Sequence, residues 1–154
     1  MEFTITLLDL DEQPTVSMRE THPVEALPAF FGKAYGAVMA YLQDADEQPA
    51  GMPFGVYYNL EMSALDIEAG FPVSKALPGN DMVKGSTIPG GHYVSTVFKG
   101  AYNKMKPAYD ALENWAVENG WQPTSIAYEF YLNDPNEAEG IVAETEIRFP
   151  VRKI

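Results

Sequence analysis

A single carboxylate stands in the aromatic and aliphatic run Ser125-Ile126-Ala127-Tyr128-Glu129-Phe130-Tyr131-Leu132-Asn133-Asp134-Pro135. Successive strand residues point to opposite faces, so Ile126, Tyr128, Phe130 and Leu132 make one apolar face, while Ala127, Glu129 and Tyr131 share the other. What that second face meets decides the chemistry. Open to water, Glu129 is an ordinary solvated glutamate. Lining a cavity, it is a negative charge among aromatic rings, suited to an organic cation or to acid-base work. Ionised carboxylates avoid burial unless paired, so the pattern by itself favours the solvated reading.

Few other side chains offer reactive chemistry. The chain has no cysteine, which removes disulfides and thiolate sites, and only His22 and His92 supply imidazole. Zinc is not expected, and no cofactor is. His92 follows a glycine turn and reads as an edge residue. Pro89-Gly90-Gly91 lacks the helix and lysine that follow a phosphate loop, so that turn is structural. The acidic stretches Asp44 to Glu47 and Asp134 to Glu139 read as solvated loops.

A net charge of -12, with ten Lys and Arg in all, argues against direct nucleic-acid binding, because phosphate contacts need clustered basic residues. Met1 to Thr6 lacks the basic stretch and apolar core of a signal peptide, and no run reaches the roughly 18 to 20 apolar residues of a membrane span. A soluble, cytoplasmic protein with no membrane partner is expected.

The elements that must hold Glu129 come in two similar sets. Offsetting the chain by 78 residues brings Val16-Ser17 onto Val94-Ser95 and Phe71-Pro72-Val73 onto Phe149-Pro150-Val151. Each half reads strand, strand, helix, strand, strand, giving pseudo-repeats of about 1–77 and 78–154 within one domain of 154 residues. In the first half, alternation predicts a strand over Phe3, Ile5 and Leu7 and a second from Pro14 to Arg19, joined as a hairpin. Pro28 suits a first helical turn, and Leu27, Phe30, Phe31, Ala34, Val38, Tyr41 and Leu42 follow at helical spacing. Strands are expected at Phe54 to Leu60 and Ser63 to Phe71. The second half predicts strands at Met82 to Ile88 and His92 to Phe98, a helix from about Ala101 to Asn119 with Gly120 as its C-cap, and strands at Ser125 to Leu132 and Val142 to Val151. The last two are joined by the acidic turn Asn133 to Glu137. On this helix Met105, Ala108, Tyr109, Leu112, Trp115 and Ala116 form the apolar stripe, with Tyr102 and Tyr109 assigned to core and rim. Trp115 serves packing at least as readily as ligand contact. The fold class that follows is α+β, with mostly antiparallel sheet.

Three segments together resemble a known family: Pro89-Gly90-Gly91-His92-Tyr93; Gly100-Ala101-Tyr102 leading to Trp115; and Glu129 to Pro135 followed by Thr145-Glu146-Ile147-Arg148-Phe149-Pro150-Val151. Over essentially the whole chain they resemble the GyrI-like small-molecule-binding domain, the effector-binding domain of many AraC- and MerR-type bacterial transcription regulators. The resemblance implies a tandem repeat of a strand-helix-strand-strand unit with two long helices and a central groove between the copies. It also implies that Glu129 and Tyr131 face that groove; the repeat and the strand alternation then predict Tyr128 and Phe130 turned the other way, toward the helices. Tyr57 and Tyr58 match the family's aromatic position on the third strand to within one residue, and Tyr93 matches the slot after Pro-Gly-Gly. No helix-turn-helix segment lies within the 154 residues, so a stand-alone form is expected.

Three functions remain open at this point. The first is binding of a small apolar aromatic compound, cations included, with Glu129, Tyr131, Tyr57, Tyr58, Tyr93 and Trp115 as ligand-binding residues. The second is hydrolysis of strained, cyclopropane-containing toxins, with Glu129 and Tyr131 as catalytic groups. The third is an acidic partner for gyrase, the protein interaction from which the family takes its name.

Overall fold

A computed structural model of the chain describes residues 2–134 and 139–154. The turn expected at Asn133 to Glu137 lies in part outside the described residues. Among those described, the order is β1 (Thr6–Leu10), β2 (Gln13–His22), α1 (Leu27–Asp44), β3 (Phe54–Tyr57), β4 (Leu65–Pro72), β5 (Lys84–Ile88), β6 (Gly91–Lys99), α2 (Lys106–Glu118), β7 (Trp121–Pro123), β8 (Ala127–Tyr131) and β9 (Glu144–Lys153). They fall into two compact units, Asp11–Gly90 and Met1–Leu10 with Gly91–Ile154. No described helix is long and apolar enough to cross a membrane.

In the unit Asp11–Gly90, α1 forms because its apolar residues recur at three- and four-residue spacing and Pro28 occupies the first turn, where its missing N–H costs nothing. Leu27, Phe30, Ala34, Val38 and Leu42 are buried against Val16 and Met18 of β2 and Leu65, Ile67 and Ala69 of β4. The strands run antiparallel in the order β3-β4-β2-β5. The outer face of α1 carries Gly32 and Gly36, and an added Cβ at either meets nothing within 4 Å. A mid-helix glycine costs about 0.5–1 kcal/mol relative to alanine. Gly36→Ala is therefore expected to raise stability by about that amount. Denaturant unfolding followed by circular dichroism checks this, and a lowered midpoint would contradict it.

The second unit repeats the plan. Its strands run antiparallel in the order β1-β6-β9-β8, with β7 beside the C-terminal end of β9. α2 buries Ala108, Leu112 and Ala116, holds Pro107 in its first turn, and ends before Gly120 at φ +83°, the left-handed conformation a glycine C-cap supplies. The segments β2-α1-β3-β4 and β6-α2-β8-β9 are the strand-helix-strand-strand copies of an α+β fold.

One expected pairing is corrected. β1 and β2 do not form a hairpin: β1 pairs with β6, while β2 pairs with β4 and β5. The two residues between them, Asp11 and Glu12, do not adopt the positive φ that two-residue hairpin turns require, so the chain runs on without reversing. The strand that opens each sequence copy thus joins the sheet of the unit that holds the other copy's helix.

Candidate functional site

Glu129 owes its surroundings to the register of β8 on β9. Glu129 lies opposite Ile147, and Tyr131 opposite Thr145. Ile147 and Thr145 are fully buried, and Phe149, next on that face of β9, packs its ring edge-on against Tyr109 of α2 at 5.2 Å between centroids. Glu129 therefore sits under α2 and is only 7% exposed. Its carboxylate accepts hydrogen bonds from the Tyr109 hydroxyl at Oε2 and from the Tyr131 hydroxyl, 2.9 Å away, at Oε1. Tyr102, in the short turn Tyr102–Lys104 before α2, meets Tyr131 edge-to-face at 5.7 Å and is half exposed. Among the described residues no Lys or Arg pairs with Glu129. The result is a carboxylate in a cage of tyrosines, built entirely within one unit.

Burial pushes the Glu129 pKa above its ordinary value, against the opposing pull of the Tyr109 and Tyr131 hydrogen bonds. The folded protein thus holds this proton more tightly than the unfolded chain does. The stabilisation it brings is complete below the unfolded pKa, about 4.3, and is lost as pH rises through the folded-state pKa. Glu129→Gln, which cannot ionise, is expected to gain stability relative to wild type as pH rises from about 4 toward neutrality. Thermal melts across that range check it; parallel profiles would contradict it.

The alternation expected along this strand holds, but the face assignment is corrected. Glu129 and Tyr131 point to the helix side, and Tyr128 and Phe130 to the other. Tyr128 lies opposite Arg148 and Phe130 opposite Glu146, and the Arg148 guanidinium stands 4.2 Å over the Phe130 ring. The reason is packing: covering Ile147 and Phe149 with α2 fixes the face of β9, and the register then carries Glu129 inward with them. Tyr93 is buried on the Tyr128 side, edge-on to that ring at 5.8 Å, so it does not share the face of Glu129; burial pushes its phenol pKa up. Trp115 is half-buried on α2 and is not among the hydrogen-bond partners of Glu129. Tyr57 packs against the α1 core of the other unit.

Tyr58 reaches a second buried carboxylate. Glu68 of β4 is 6% exposed and accepts from the Tyr58 hydroxyl and from Ser17 Oγ at 2.5 Å. Arg19 lies 3.7 Å over the Tyr58 ring and pairs with Asp66 through two bonds of 2.9 and 2.7 Å. The other unit repeats the serine-glutamate pair: Ser95 Oγ donates to Glu146 at 2.9 Å, and Arg148 adds a 2.6 Å bond. Sequence reasoning passed over Glu68, although the 78-residue offset places Ser17 on Ser95 and Glu68 on Glu146. It also gave Tyr109 no polar role, since a tyrosine on an apolar helical stripe does not reveal where its hydroxyl ends.

The GyrI-like small molecule binding domain model matches residues 3–152. The chain belongs to this family. The C-terminal domain of EcmrR shares the GyrI-like fold with a TM-score of 0.82 at 20% identity, covering all of both chains. Against the longer EcmrR chain of a DNA complex the identity is 22% and the TM-score again 0.82, and this chain spans 58% of that length. A hydrolase from Listeria innocua superposes with a TM-score of 0.71 at 12% identity, over 97% of this chain and 92% of that one. SAV2435 bound to tetraphenylphosphonium gives 0.54 at 17% identity, over 99% and 94%. At these identities the likeness is one of fold. Among curated proteins none matches.

Proposed function

We propose that this GyrI-like domain binds apolar aromatic cations, with Glu129 as the charge partner and Tyr102, Tyr109 and Tyr131 as the aromatic walls. The observation that carries this reading is a buried carboxylate satisfied only by tyrosine hydroxyls, with no basic side chain paired to it among the described residues. A structural ion pair would have neutralised it; a cage of phenols leaves the charge for a visitor. SAV2435, which binds the aromatic cation tetraphenylphosphonium on the same fold, supports the choice of ligand class.

The energetics fit. Apolar burial contributes about 25 cal/mol per Å² and each desolvated cation-π contact about 0.5 to 2 kcal/mol, so the roughly 8 kcal/mol of micromolar binding is within reach. Entry requires the cover to move. The N-cap of α2, Met105, gives no side-chain cap, and the first turn, which holds Tyr109, has no acidic residue. A missing cap forfeits about 1 kcal/mol and lowers the cost of lifting this turn, which must still expose the buried Met105 and Ala108. Titration of intrinsic fluorescence with tetraphenylphosphonium tests the reading: saturable quenching at micromolar concentrations is expected, and a linear, unsaturable response would contradict it.

The raised pKa of Glu129 beside two phenols favours one alternative, in which Glu129 is a general acid or base with Tyr131 assisting, as the fold likeness to a Listeria innocua hydrolase would allow. Strained cyclopropane-containing toxins are its substrate class. Multiple turnovers lost in both Glu129→Gln and Tyr131→Phe would establish it; stoichiometric binding without product would rule it out.

A further inference from the structure

One hydroxyl beside Glu129 has no partner. Thr145 is fully buried, and its Oγ1 makes no hydrogen bond. It lies directly across from Tyr131, on the strand face that carries Glu129 and Ile147. Paired residues on one face of an antiparallel ladder have Cβ atoms about 4.5 to 5.5 Å apart, so Thr145 lines the same cage as Tyr131. The other hydroxyls at Glu129 are committed: Tyr109 donates to Oε2 and Tyr131 to Oε1. A buried polar atom without a partner costs free energy, and unsatisfied groups of this kind are uncommon in folded proteins. The other buried hydroxyl without a partner among the described residues, Thr15 Oγ1, lies between Pro72 and Ser86, with no carboxylate at those positions or two residues from them.

We infer that Thr145 favours cations that carry N–H groups, so that among cations of one shape this site prefers protonated amines to fully substituted ammonium or phosphonium ions. The inference rests on the reading of Glu129 as a cation site and adds what distinguishes one cation from another. Each carboxylate oxygen of Glu129 keeps acceptor capacity beyond the one phenol it receives. A primary or secondary ammonium has at least two N–H donors. One reaches Glu129, and another reaches Thr145 Oγ1, giving the buried hydroxyl the partner it lacks. A fully alkylated cation satisfies the charge but leaves Thr145 unpaired.

The test uses two probes of one shape, 1-naphthylmethylammonium and its N,N,N-trimethyl derivative, titrated against the full chain by calorimetry. The trimethyl ion is more apolar, so the informative quantity is how the amine-to-trimethyl affinity ratio changes between variants. Thr145→Val keeps the branched shape and removes the hydroxyl. It is expected to lower the ratio by roughly tenfold or more, the worth of one hydrogen bond from a charged donor. Thr145→Ser, which retains the hydroxyl, is expected to restore the wild-type ratio and guards against a general loss of packing. An equal ratio in wild type and Thr145→Val overturns the selectivity. Failure of the reading beneath it has a different signature: both probes bind Glu129→Gln as they bind wild type, or neither binds at all.

Discussion

Glu129→Gln is expected to weaken binding of an aromatic cation by at least about tenfold while the fold stays intact, because two opposite charges about 4 Å apart interact by several kcal/mol near a protein surface and more when desolvated. Glutamine preserves the shape of the side chain and can still meet the hydroxyls of Tyr109 and Tyr131, which now hold the carboxylate. What it removes is the charge. A neutral aromatic of the same size is expected to bind wild type and variant alike, so the difference between the two ligands isolates the electrostatic part. Equal loss for both ligands would mean that the substitution had damaged the cage rather than removed its charge partner.

The largest expected change in stability comes from Gly70→Ala. Gly70 of β4 lies opposite Ser17 of β2 and Phe54 of β3, and an added Cβ would stand 2.1 Å from the Val16 carbonyl oxygen, 2.7 Å from Ser17 Cβ and 2.8 Å from Ser17 Cα. Two of these neighbours are backbone and cannot rotate away, so the β2–β4 ladder must part locally. The Ser17 bond to Glu68 lies beside the breach. Overpacking usually costs about 1–3 kcal/mol, and a backbone clash inside a central ladder belongs at the upper end, about 3 kcal/mol. The same glycine-to-alanine change at Gly36 is expected to stabilise, since the space there is open. Urea unfolding of both variants gives midpoints displaced in opposite directions; displacement in the same direction would contradict the packing argument.

Much of this fold could be read from the chain because its elements advertise themselves. α1 was legible in its apolar spacing and Pro28, and α2 in its stripe and Gly120. The exchange of β1 was not, because the two-residue linker Asp11-Glu12 is short enough to suggest a hairpin and says nothing of which distant strand β1 joins. Recognition of the family rested on ordered motifs, and the matched region, residues 3–152, spans nearly all of the chain. The pairing of Glu129 with Tyr131 was visible in a two-residue alternation. Its burial was not: alternation separates two faces and does not say which one a helix covers. Both faces of β8 prove to be largely buried, so the apolarity of Tyr128 and Phe130 gave a false cue. Thr145 escaped notice for a related reason, since a threonine in a strand looks ordinary until its hydroxyl is found without a partner.

A crystal structure with tetraphenylphosphonium bound tests the central claim most directly. The account predicts the phosphorus within roughly 6 Å of the Glu129 carboxylate and of tyrosine ring faces, with the first turn of α2 displaced and the Tyr109 bond to Glu129 broken. A cation bound elsewhere, with Glu129 still sealed beneath α2 by Tyr109 and Tyr131, would contradict it.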